Sequence, residues 1–335
     1  MTESWAWLAV AGAWTVGTAL YGILLGLFFS GVDRVLVARM QSRIGPPLLQ
    51  PFADVRKLMG KQDAVPSGAT RKVFRAAPVL ALAGGVAELV YIPLGGLGSG
   101  SPLPGGGDAI LALYLLMLPG LAMVVGGFAS GSPYASVGAQ REMVAMVSYE
   151  LPLAMTVMTF AWRLAEAGVA EPFSLQTMAA HPIWAEAGPF GWVGAAILLG
   201  TMLLVLPGEL GRIPFDAAEA ETELAGGILV EYSGRSLALF ELALAVKNVA
   251  LCGLMCALFW PWRAGTLAGG GAGWGAVLDL AGFVVKSGVF MFAGVSLVRA
   301  GMARFRVTDI VRFYWKHLGL LSLVGMALLA LDAWL

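Results

Sequence analysis

Charge is what this 335-residue sequence has least of. Asp, Glu, Lys and Arg make up 13% of it, against about 25% in soluble domains. A water-facing shell around a core of this length cannot be built from so few charges, so lipid is the expected solvent. Cysteine and histidine are nearly missing too: Cys252, Cys256, His181 and His317 are the whole supply. A structural zinc ion or an iron–sulfur cluster needs four thiolate or imidazole ligands, so no metal is expected on this chain. The i, i+4 cysteines lie in an apolar run and read as helix packing. A phosphate loop and a nucleophile triad are both absent, so no catalytic residue is expected and the chain alone should carry out no redox step. No internal repeat is evident, which argues against the transporters built from inverted repeats.

What the sequence does have is apolar length. Eight stretches reach the ~20 residues a membrane-crossing helix requires: Trp5–Ser30, Ala76–Leu94, Asp108–Ala129, Val137–Trp162, Gly188–Pro207, Leu237–Trp260, Trp274–Arg299 and Trp315–Leu335. The expected fold is therefore all-α and integral to the membrane, one domain over residues 1–335. The first span has no basic n-region and is too long for the apolar part of a signal peptide. Tryptophans gather at the span ends (Trp5, Trp7, Trp162, Trp192, Trp260, Trp262, Trp274, Trp315, Trp334), as interfacial belts do. With the N-terminus outside, the inner loops 31–75, 130–137, 208–236 and 300–314 and their flanks hold seventeen Lys and Arg, and the outer loops only Arg163 and Arg263. Positive charge marks the inner side, so both termini of this multi-pass chain are expected outside. The glycine-rich outer stretches 95–107 and 265–273 read as connectors.

Two inner loops carry the unusual chemistry. The first presents Arg34, Arg39, Arg43, Arg56 and Lys57 around Gly45-Pro46-Pro47. It continues into an amphipathic stretch in which Leu48, Leu49, Phe52, Val55, Leu58 and Met59 recur near helical spacing. An anchor on anionic lipid and a docking surface for a soluble partner both fit; the rigid turn favours docking. The second loop packs Glu209, Asp216, Glu219, Glu221 and Glu223 closely, with Arg212 among them and Glu231 beyond. Asp216 and Glu219 have the spacing of a helix N-cap and its N3 acid, which would put Asp216, Glu219 and Glu223 on one helical face, ended at Gly226-Gly227. Crowded acids beside apolar spans can hold and release protons near neutral pH. Within the spans lie Glu88, Glu142, Glu150, Glu241, Lys247, Asp279 and Lys286, each costly at membrane depth and so a functional candidate. Asp279 and Lys286 stand ~10.5 Å apart along a helix axis, too far to touch. Glu241 and Lys247 face different ways. A proton path from the acidic loop to mid-membrane follows from this arrangement.

At these loops the sequence resembles the family that includes the quinone-site membrane subunit of respiratory complex I and its relatives in group 4 nickel–iron hydrogenases. The resemblance is carried by Arg34 to Lys57, Met146-Val-Ser-Tyr-Glu150-Leu-Pro-Leu, Glu209 to Arg235, and Arg304-Phe-Arg306-Val-Thr-Asp309 with Trp315-Lys316. Complex I members carry an extra Asn-Arg-Val-Gly-Pro-Phe-like piece after Ile-Gly-Pro. Here Gly45-Pro46-Pro47 runs straight into Leu48-Leu49-Gln50-Pro51, which looks like the energy-converting hydrogenases. The resemblance implies a non-redox subunit that docks soluble nickel–iron large and small subunits and iron–sulfur subunits. These partners would hold the nickel–iron centre and the clusters, and the chain would couple them to proton or sodium movement in an antiporter-like membrane subunit. It implies that Glu150, Glu209, Asp216, Glu219, Glu221 and Glu223 match the family's acidic path, and Arg34, Arg39, Arg43 and Arg212 its docking surface. The alternatives are a quinone-site subunit of complex I and a stand-alone ion transporter; nucleic acid is not an expected partner.

The topology is testable by cysteine labelling. Gly100→Cys should react with an impermeant reagent from outside and Ser67→Cys only from inside; the reverse pattern overturns the orientation.

Overall fold

The computed structural model describes residues 2–93, 108–267 and 272–335, without the side chains of residues 2–8, 221–222, 266–267 and 272–273. The connector 95–107 and residues 268–271 of the second glycine-rich stretch lie outside the described residues. The elements are α1 (Thr2–Met40), α2 (Gln50–Met59), α3 (Arg71–Tyr91), α4 (Ala109–Ala129), α5 (Pro133–Glu166), the short α6 (Leu175–Ala180) and α7 (Ile183–Glu186), α8 (Pro189–Glu209), α9 (Glu221–Leu224), α10 (Gly234–Phe259), α11 (Ala264–Leu267), α12 (Trp274–Gly301) and α13 (Val307–Trp334). Eight of them, all but α2, α6, α7, α9 and α11, are long and apolar enough to cross a membrane. The expected all-α membrane architecture is thus observed.

α10 is the axis of the bundle. Its most apolar stretch is 94% buried inside the protein, whereas the other spans bury 28–56% of theirs. It packs against α3, α1, α12, α2 and α4, while α5, α8 and α13 form an adjoining group. Close approach of α1 to α10 depends on Gly26, where a Cβ would lie 2.1 Å from the Ala245 carbonyl oxygen; small residues allow such backbone contact between membrane helices. Buried polar pairs tie the helices at both ends. Asp33 of α1 accepts from Ser296 Oγ at 2.7 Å and pairs with Arg299 of α12 at 2.6 Å. At the other end Asp332 accepts from Gly188 N at 2.9 Å and faces Arg163 at 3.4 Å. α12 and α13 each contain a π-helical turn, over Phe292–Ser296 and Phe313–Leu318.

Several boundaries differ from those read in the sequence, the longest extensions being on the basic side. α1 does not stop at Ser30 but runs to Met40, because no breaker precedes Ser42 (φ +57°) and Gly45-Pro46-Pro47. At 39 residues it is ~58 Å long, about twice the ~30 Å hydrocarbon thickness, so Arg34 and Arg39 ride on a projecting helix rather than a loop. The loop 31–75 therefore shrinks to 41–70 around α2. α5 starts at Pro133 with proline in its first turn, which leaves only 130–132 as connector. α13 starts at Val307 rather than Trp315. The helix expected from Asp216 does not form: residues 210–220 are turns, and the helical piece is Glu221–Leu224. Pro214 interrupts the start, and Ala225, Gly226 and Gly227 all take positive φ at the end. At Gly227 (φ +61°) a Cβ would lie 2.0 Å from the Ala218 carbonyl oxygen, so the segment closes on itself only with glycine there. Asp216, Glu219 and Glu223 consequently share no helical face.

Candidate functional site

α8 ends at Glu209, whose side chain turns into the protein and is 1% exposed; Lys247, midway along α10, is 2% exposed. Their charged ends lie 2.7 Å apart. A lone charge here would meet neither water nor lipid headgroup and would cost several kcal/mol, so the two groups are buried as a pair. The lysine's charge also acts on Glu88 of α3 and on Glu142 and Glu150 of α5. Glu88 is 1% exposed, and its Oε2 has no hydrogen-bond partner among the described residues. The same holds for the hydroxyl of Tyr149, whose ring meets Tyr314 edge-on at 6.0 Å. Tyr314 donates to the Leu204 carbonyl at 3.1 Å and packs on Gly208, the residue before Glu209.

A cavity of about 20 Å³ adjoins the ion pair, lined by Glu142, Glu209, Asp216, Glu219 and Lys247 with Gly120 and Gly211. That is room for one water molecule. The segment 210–220 forms its wall on the basic side. Withdrawal from water pushes the Glu219 carboxyl up to about 7; Arg212 opposes the shift, and Glu142, Glu241 and Asp216 add to it. Asp216 does not cap a helix. It receives Arg304 Nε at 2.8 Å and Nη2 at 2.6 Å, a fork that fixes the wall to the start of α13. Glu223 is exposed and pairs with Arg141.

The other candidates fall elsewhere. Glu231 sits in the turn before α10, and the Glu221 side chain lies outside the described residues. Asp279 and Lys286 do not join the site: Asp279 accepts from Gly265 N at 2.7 Å, and Lys286 donates to the Trp260 and Trp262 carbonyls at 3.0 and 2.9 Å, closing the far end of α10. On the basic side Arg34 pairs with Asp54 of α2 at 2.9 Å. That hydrogen bond, then the one from Gln50, holds the Asp54 carboxyl below its usual range. Arg39, Arg43, Arg56 and Lys57 are exposed around Ile44, which is 98% exposed. Arg212 and Arg34 share a pocket of about 90 Å³ with Asp54, Glu241 and Asn248. Tyr149 lies in the Met146–Leu153 string that carries the family resemblance, but neither it nor Tyr314 is singled out for the site by the sequence. Lys247 stands out only as a lysine inside an apolar helix; its partner is 38 positions away, outside any helical spacing. Among the described residues no group of three or more His, Cys, Asp or Glu is arranged to hold a metal ion.

A family model described as NADH dehydrogenase matches residues 14–330. The chain belongs to this family. Within it, a subunit of the NADH-quinone oxidoreductase of Thermomicrobium roseum is 32% identical, over 97% of this chain and 97% of its own length. Formate hydrogenlyase subunit 4 of Escherichia coli is 32% identical, over 90% of this chain and 93% of its own. Among solved structures, a chain of the membrane-bound sulfane sulfur reductase, described as an archaeal respiratory membrane complex, superposes with a TM-score of 0.80 at 26% identity, covering 95% of this chain and 99% of that one. The family resemblance read from the loops is borne out, and the relatives belong to multi-subunit membrane complexes.

The buried pair and the wall can each be tested. Lys247→Met leaves Glu209 buried and unpaired, so it should lower stability by roughly 3–5 kcal/mol. Adding Glu209→Gln should recover a large part of that loss, as read by thermal unfolding in detergent; losses that simply add would mean that the two do not interact. For Glu219 the bound proton favours the folded state. The thermal midpoint should fall as pH rises from 4.5, the ordinary value, through about 7, and fall less in Glu219→Gln; identical pH profiles would refute the shift.

Proposed function

We propose that this chain is the membrane subunit of an energy-converting hydrogenase-type complex, docking soluble redox subunits on its basic side and carrying protons into the membrane. It sits in the cytoplasmic membrane of a prokaryote with both termini outside, beside an antiporter-like subunit that moves protons or sodium. The nickel–iron large and small subunits and the iron–sulfur subunits supply the electron chemistry; this chain holds and moves protons.

The observation that carries the reading is the single ammonium of Lys247 among four carboxylates. It pairs with Glu209, and its charge also acts on Glu88, Glu142 and Glu150. A carboxylate at this depth with no cation of its own avoids the cost of buried charge by holding a proton. A proton passing among these acids changes which acid is neutral without adding a buried charge. Glu219, with its carboxyl near 7, takes up the proton from the basic side, and the water-sized cavity links it to Glu142 and Glu209. Glu142 and Glu150 are eight residues apart on α5, ~12 Å along its axis, so the relay needs an intervening group. The buried, unpartnered hydroxyl of Tyr149 has the position for one.

A second reading, that of a quinone-site component, draws support from the relatives named as NADH-quinone oxidoreductase subunits. Turnover of the complex in the presence of quinone analogues separates the two readings: the hydrogenase-type reading expects no inhibition, and inhibition overturns it.

The test of the main reading is made in the assembled complex in liposomes. Glu150→Gln and Glu142→Gln keep shape and hydrogen bonding but cannot titrate, so each should cut proton uptake ~10-fold or more while the complex still assembles. Wild-type pumping in both variants would leave the chain an anchor alone.

A further inference from the structure

The string Arg304-Phe-Arg306-Val-Thr, prominent in the sequence, is only partly used by the site above. With Arg141, Ala217, Ala220 and Glu223 it lines a separate pocket of about 360 Å³ on the basic side. Three guanidinium groups meet there. Arg304 is engaged by Asp216 and Arg141 by Glu223; Arg306 is exposed and has no ion pair among the described residues. Arg306 is thus the guanidinium of the pocket that lacks an ion pair among the described residues. The pocket is built from the connectors 217–223 and 302–306 and the first turn of α13, not from the lipid-facing midsections of the spans. Its size is that of a small-molecule site, wide enough for a projecting side chain.

We propose that this pocket receives an acidic side chain of the soluble subunit docked on the basic side. The proposal rests on the docking role given above and adds the place and chemistry of one contact. A carboxylate entering here meets Arg306 and can form the bidentate contact that guanidinium favours. It also competes with Asp216 for Arg304 and with Glu223 for Arg141. That competition matters because 216–220 is a wall with two faces: Ala217 and Ala220 line this pocket, while Asp216, Ala218 and Glu219 line the cavity at Lys247. Insertion of the partner's acid is thereby coupled to the position of the acids at the entrance of the relay.

The experiment uses the assembled complex. Arg306→Lys puts a primary amine at the pocket, and a water-soluble carbodiimide joins it only to a carboxylate in contact, identified by peptide mapping. The expected product links position 306 to an Asp or Glu of a soluble subunit. Arg306→Glu should weaken retention of the soluble subunits at raised salt by ~10-fold. Arg39→Glu/Arg43→Glu checks docking separately. If that variant releases the soluble subunits while position 306 links only to this chain's Glu223 or Asp309 and Arg306→Glu retains them, docking stands and the pocket proposal fails. If position 306 links to no protein and Arg306→Glu instead loses a bound anionic phospholipid, read by native mass spectrometry, the occupant is lipid and the proposal is overturned. If none of the charge reversals releases the soluble subunits, the docking role itself falls and the pocket with it.

Discussion

A lysine and a glutamate that are both shut away from water survive as ions only while they face each other. Between Lys247 and Glu209 that condition is met at 2.7 Å, and much of the bundle can be understood as what keeps it met. α10 occupies the centre, so Lys247 cannot extend to a headgroup or to water as lysines near helix ends do. α8 stops at Glu209, so its carboxylate arrives at that depth on the end of a helix rather than in a mobile loop. The turns that follow fold back as a lid, closed by Gly227 and bolted to α13 through Arg304 and Asp216. Loosening any of these exposes the pair to solvent or separates it.

Charge is held in two kinds of arrangement. In one, an ionisable group has its own local partner: Lys286 donates to two carbonyls, Asp279 accepts from a backbone amide, Asp332 meets Gly188 and Arg163, and on the basic side Arg34 meets Asp54 and Arg304 meets Asp216. Such contacts tie helix ends together. In the other, around Lys247, one ammonium acts on several acids, and the partnerships are not one to one. The proposed proton transfer rests on the second arrangement.

The spans are legible in the sequence, because twenty apolar residues in a row have few alternatives to a membrane helix. Glu88, Glu142 and Glu150 are legible too, as costly groups at depth, whereas Glu209 is legible only as one acid of the inner loop. What depends on pairing across the fold is hidden. Helical spacing sets Lys247 only against Glu241 on its own helix, whereas its partner comes from α8. Asp216 has the spacing of a cap, yet the guanidinium that holds it is 88 residues further on. The end of α1 lies beyond the sequence boundary because charges at Asp33 and Arg34 mark where the chain leaves the membrane, not where the helix ends.

The π-helical turn at Phe313–Leu318 stands between the arginine pocket and the Asp332 contact at Gly188. A π-turn holds one residue more than an α-turn, and one residue amounts to about 100° around a helix axis. The two ends of α13 are therefore out of angular phase by that amount. In any relative where this turn is plain α-helix, an ungapped comparison that matches Arg306 misplaces Asp332, and one that matches Asp332 misplaces Arg306. A gap of a single residue in that stretch is a change of hand-off between two sites, not noise in a loop.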